Sequence, residues 1–153
     1  MSSTGRTPLS GLLAAFLFIT GSAPIPADNG STKPDLNDPK LIARGKVVYD
    51  EQCARCHGAK LEGQPDWRHR LSNGRMPAPP HDATGHTWHH PDKQLFDLTK
   101  LGPGALVPGY ESDMPGFMDK LSDPDIWAVL SYIESTWPAD VRARQQRMNQ
   151  SRQ

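Results

Sequence analysis

The sequence predicts an all-α domain of three to four helices joined by long loops. Three observations carry this. Two stretches repeat apolar residues at helical spacing behind recognisable N-terminal caps. No alternating apolar and polar run longer than four residues offers a strand. Between the helical stretches lie long segments rich in Pro, Gly, Asn, Asp and His, with 13 Gly and 15 Pro in 153 residues. Apolar residues make up only 36% of the chain. Side chains alone would give a thin core, so apolar volume borrowed from a bound group is expected.

Residues 1–27 read as a secretory signal. Arg6 is the only charge, and Leu9 to Ile19 form an apolar run ended by Thr20-Gly21-Ser22-Ala23. The run falls short of the ~20 residues a membrane-spanning helix needs. Cleavage is expected after Ala27, with a short uncleaved anchor as the alternative. The expected location is therefore periplasmic. Residues 28–39 read as a flexible leader. Residues 40–138 read as the folded domain, and 139–153 as a basic tail, frayed and solvated.

The 17 basic and 17 acidic residues cancel over the whole chain, which excludes a globally basic nucleic-acid binder. Without the signal the balance is uneven. Residues 28–141 hold 12 basic and 17 acidic side chains, and the tail adds Arg142, Arg144, Arg147 and Arg152. An uncleaved signal or this tail would be the membrane contact.

The first helix is expected from Asp38, which can cap it, with Pro39 at its first position. Leu41, Ile42, Val48, Tyr49 and Cys53 fall close to one face, and Gly58 to Gly63 breaks the pattern. Residues 63–91 read as an extended loop wrapped around a large ligand, since a free loop of that length would be unusual. Pro91 opens a short helix through Leu95, Phe96 and Leu98, ended by Gly102-Pro103-Gly104. Ser122 and Asp125 resemble a capping box at the start of the last helix. Ile126, Leu130, Ile133 and Trp137 line one of its faces, and Pro138 stops it.

Cys53-Ala54-Arg55-Cys56-His57 carries the chemistry. In an exported chain, C-x-x-C-H is the attachment signature of a c-type haem. Thiols at i and i+3 lie on one side of a helical turn and can bond two carbons on one edge of the porphyrin. The following His57 then offers its imidazole to the iron. The rival readings are weaker. A thioredoxin-like pair needs a βαβ context, a structural zinc needs two more ligands, and a plain disulfide leaves His57 without a role.

The sixth ligand is expected to be a methionine, whose soft sulfur favours ferrous iron. Met114 is the first choice. It lies 57 residues beyond His57 in a loop, with Pro115 keeping that loop from coiling. Met76 and Met118 are the alternatives, as is a histidine of the 81–90 stretch.

These features resemble the class I c-type cytochromes over about residues 40–137. Gly45, Tyr49 and Cys53 stand four apart, and in that family the glycine lets the first helix cross the last closely. Val129 and Tyr132 occupy the matching places, with Tyr132 packing near Gly45. Ala78-Pro79 looks like the family's proline after the motif, flanked by Pro77 and Pro80 as alternatives. Its carbonyl would accept a hydrogen bond from Nδ1 of His57. Met114-Pro115, Phe117 and a last helix carrying Trp127 complete the pattern. The resemblance implies a cytochrome c-like fold around one haem held through Cys53 and Cys56. It implies electron transfer between redox protein partners, an upstream reductant and a downstream oxidase or reductase. It implies no enzyme activity and no nucleic-acid partner.

One stretch departs from the family. His81, His86, His89 and His90 place four of the six histidines within ten residues. They read as a haem-edge loop in which Trp88 donates its indole N–H to a propionate. A copper-handling site is the sharper alternative. A labile sixth ligand that admits oxygen, nitric oxide or peroxide is another.

Overall fold

Two helices that cross at a glycine form the frame. The computed structural model describes Met1 and residues 32–151; the expected signal at 1–27 falls outside them apart from Met1. The first helix, α1, spans Pro39–Gln52, and α5 spans Asp123–Ser135. Asp38 caps α1 by accepting from the N–H groups of Lys40 (2.9 Å) and Leu41 (3.2 Å). Ser122 caps α5, accepting from Asp125 N–H at 3.3 Å and donating to the Asp125 carboxylate at 2.9 Å. These reciprocal bonds satisfy donors that a bare helix start leaves open.

The helices approach closely because Gly45 has no side chain. A Cβ there would overlap the Ala128 carbonyl and lie 2.9 Å from Tyr132 Cβ. Arg44 and Asp125 tie the crossing with a 2.7 Å ion pair. Val48 and Tyr49 from α1 meet Ile126, Val129 and Ile133 from α5 in the core, all almost fully buried. Burying each aliphatic side chain contributes roughly 1.5–3 kcal/mol, offset by the entropy of ordering it.

Between the frame helices lie a single turn α2 (Ala54–His57), a 3-10 turn at Thr87–His89, α3 (Asp92–Leu101) and a short α4 (Pro103–Leu106). No strand occurs among the described residues. Helix α3 packs on α5 through Phe96 and Trp127, whose rings stack at 4.4 Å. Its stop at Gly102 needs φ +83°, and Gly102 also lets Gly116 approach closely. Helix α4 adds a turn with Pro103 at its start, where the sequence suggests only a loop. Apart from the Thr87–His89 turn, residues 63–91 are turns, bends and irregular chain.

The tail departs from its sequence reading. Residues Ala139–Ser151 form α6, and this helix packs back on the Thr87–His89 turn. Val141 and Gln145 are buried. Asn149 accepts the Asp92 N–H at 2.9 Å, capping α3 from outside. The leader is docked at its end too, because Asp35 N–H donates to the buried Ser131 hydroxyl at 3.1 Å. No helix among the described residues is long and apolar enough to cross a membrane.

Candidate functional site

The site begins where α1 changes direction. Cys53 closes α1 by donating its N–H to Tyr49 O (2.9 Å), and its own carbonyl receives His57 N–H at 2.9 Å. Cys53 and Cys56 therefore share one helical turn. Neither is in a disulfide; Cys53 is partly buried and Cys56 is exposed. Burial, with Cys56 adding to it, pushes the Cys53 thiol up to about 12. The thiol stays protonated at neutral pH and is a poor exchange nucleophile.

His57 follows on the same turn and is 6% exposed. Its Nδ1 lies 2.8 Å from Pro79 O. A carbonyl only accepts, so Nδ1 carries the proton and Nε2 keeps its lone pair. Burial lowers the His57 pKa more than the Pro79 bond raises it. The imidazole is thereby held neutral, the form that ligates metal.

Pro79 is brought to this position by the turn after α2. Leu61, with φ +65°, turns its carbonyl to receive the N–H groups of His81 (2.8 Å) and Asp82 (3.3 Å). Gln64 brackets Ala78, donating its N–H to Ala78 O (2.9 Å) and accepting Ala78 N–H at its side-chain oxygen (2.8 Å). Gly63, at φ +69°, sits where a Cβ would lie 2.7 Å from the Pro79 carbonyl carbon. Tyr49 closes the other side, its hydroxyl donating to Gly58 O at 2.9 Å.

Met114 is partly buried and packs against the core. Its N–H donates to Ser112 Oγ at 3.0 Å. The loop is anchored just beyond by buried Phe117, whose N–H donates to Lys100 O at 3.0 Å. Met118 is 57% exposed. Met76 is partly buried. Arg75 pairs with Asp113, and with Glu111 at 3.6 Å. This clasp joins the segments that carry Met76 and Met114.

The histidine stretch does not act as one unit. His81 turns inward and stacks on the His57 ring at 4.0 Å. Burial, then His57 and His86, push its pKa well below the ordinary value. His86 stacks on Trp67 at 5.3 Å and meets His90 edge-on at 5.4 Å. His89 stacks on Trp88 at 3.7 Å. Among the described residues no three His, Cys, Asp or Glu side chains gather to hold a metal ion. The copper alternative thus has no cluster to rest on. The Trp88 indole N–H points into its own loop, donating to Ala83 O at 3.3 Å.

Sequence reasoning missed the inward turn of His81 and the part of Trp137, whose indole N–H donates to His81 O at 2.7 Å. Only the neighbouring Pro79-Pro80 pointed that way, since residues beside the expected carbonyl must lie near His57.

The donor set fits a covalently held haem. Two unbridged thiols share one turn, and a buried neutral imidazole beside them keeps Nε2 for a metal. The profile of the Cytochrome c family matches residues 42–137. Cytochrome c550 of Pseudomonas aeruginosa is 32% identical over 110 residues, 70% of this chain and 63% of the relative. Cytochrome c-555 of Prosthecochloris aestuarii is 30% identical over 93 residues, 57% of this chain and 93% of the relative. The Cbb3-type cytochrome c oxidase subunit CcoP of Azospirillum brasilense is 29% identical over 98 residues, 64% of this chain. The match spans only 29% of that subunit. No solved structure matches the chain.

Proposed function

The chain belongs to the cytochrome c family, with covalent haem c as its cofactor, and from that premise we propose that it is a periplasmic single-haem electron shuttle. Haem c supplies an iron that gains and loses one electron without making or breaking bonds to a substrate. The observation that carries the reading is the 2.8 Å bond from His57 Nδ1 to Pro79 O. It fixes the tautomer, orients the ring and makes Nε2 the better ligand.

Cys53 and Cys56 hold the cofactor by two thioethers. His57, through Nε2, and Met114, through its sulfur, would hold the iron. Held by these residues, the iron would serve to carry electrons, and the chain would act as a carrier and not as an enzyme. Burial of His57, and of Phe117 three residues beyond Met114, would restrain both ligands. The apolar leader at 1–27 supports export to the periplasm. The partners are an upstream reductant and a downstream oxidase or reductase, met through a small transient interface. A relative that is itself an oxidase subunit supports that class of partner.

The test is an optical spectrum of the haem-loaded protein, oxidised and reduced, with Met114→Ala and Met76→Ala beside it. A low-spin ferric spectrum with a weak sulfur-to-iron band, lost only in Met114→Ala, is expected. A high-spin spectrum, or a band indifferent to Met114, would overturn the His57/Met114 assignment.

A further inference from the structure

We propose that His81 is a positioning residue for the haem ligand His57, holding its ring plane by stacking. The proposal rests on the reading of His57 as the proximal ligand. The two imidazoles lie 4.0 Å apart between centroids and 23° from parallel. A hydrogen bond at Nδ1 restrains His57 at one ring atom. A flat ring laid on one face restrains tilting of the whole ring, which a single bond does not.

The stack is built rather than incidental, because His81 is held by three separate parts of the fold. Its N–H donates to Leu61 O at 2.8 Å, in the turn after α2. Its carbonyl receives the indole N–H of Trp137 at 2.7 Å, and Trp137, in the link between α5 and α6, is only 1% exposed. Its Nδ1 is hydrogen-bonded to Thr87 Oγ1 at 2.8 Å, and Thr87 is buried and also bonded to Pro80 O at 3.4 Å. Tyr49 meets the His81 ring edge-on at 6.3 Å. A side chain that merely filled space would not need its backbone N–H, its carbonyl and its ring nitrogen all fixed. With all three fixed, the ring has little freedom to leave the face of His57.

This placement has two consequences. The ligand plane sets the splitting of the ferric electronic levels, so freeing it spreads the electron paramagnetic resonance g-values. A ring held at this place would also hinder water from reaching the partly buried His57–Pro79 bond. Water admitted there favours the more positive ferric state and lowers the reduction potential.

The test uses the haem-loaded full chain and four variants: His81→Ala, His81→Phe, His81→Gln and Thr87→Val. The readouts are the ferric g-values and the midpoint potential. His81→Ala and His81→Gln are expected to broaden and shift the largest g-value and lower the potential. His81→Phe keeps a flat ring and is expected to restore both towards wild type. Thr87→Val, which leaves the stack but frees Nδ1, is expected to broaden the signal less. If His81→Ala fails to fold, the Phe and Gln pair still decides the matter. Identical g-values and potentials in Phe and Gln overturn the proposal. A wild-type spectrum without low-spin histidine-ligated iron overturns the ligand assignment instead, and the two failures are distinct.

Discussion

Gly45 and Ala128 are in backbone contact, with no room for a single methyl group between α1 and α5. The obstacle is a carbonyl in the middle of a helix, which has no rotamer by which to yield. The same crossing sets the end of α1, where Cys53, Cys56 and His57 follow, so this contact positions the site as well as the core.

Gly45→Ala is therefore expected to cost at least about 3 kcal/mol, the upper range for overpacking at a rigid position. Denaturant unfolding of the haem-loaded protein measures it. An unfolding midpoint equal to wild type would show that the helices separate without loss.

Glu134 supplies a pH dependence. It is buried at the end of α5 and receives a 3.3 Å bond from Gln145 Nε2, which also donates to Asp92 at 2.6 Å. Burial first, then the Asp92 carboxylate, push Glu134 up from 4.5 to about 8. The folded state thus holds this proton more tightly than the unfolded chain. Its contribution to stability is full below about pH 4.5 and is lost as pH rises through about 8. The loss is on the order of a few kcal/mol across that window. Glu134→Gln is expected to flatten the decline, measured by unfolding at a series of pH values. A decline equally steep in the variant would place its origin elsewhere.

Arg75 clasps Asp113 and Glu111 on the protein surface, beside Met76 and Met114. Arg75→Ala frees the loop before Met114. Cyanide binding to the ferric protein is expected to become several-fold faster, and raised salt should bring wild type towards the variant, since the clasp is exposed and screened. A rate that responds to neither change would mean the clasp does not restrain the loop.

The residues that act locally are legible in the sequence. Asp38 and Ser122 cap the helices that follow them in the sequence, and Cys53, Cys56 and His57 share the turn their spacing requires. Of Pro77, Pro79 and Pro80, among which the resemblance left the choice open, Pro79 has its carbonyl at His57 Nδ1. What the sequence hides is set by contacts between distant segments. Helix α6 is strongly polar, so its docking leaves little apolar signal. Its one clue is that Trp137, Val141 and Gln145 continue a stripe at intervals of four, all three of them buried. The histidines of 81–90 look equivalent in sequence, yet the Leu61 carbonyl, Thr87 and Trp137 draw His81 alone against His57. The Arg75–Asp113 pair bridges 38 positions and has no local pattern.

Voltammetry of the haem-loaded protein, with and without carbon monoxide, tests the central claim most directly. A carrier with both iron positions filled predicts one reversible one-electron couple whose midpoint carbon monoxide leaves unchanged over short exposure. A couple that shifts with carbon monoxide, or a catalytic current with oxygen or peroxide, would contradict it and identify an open iron that does chemistry.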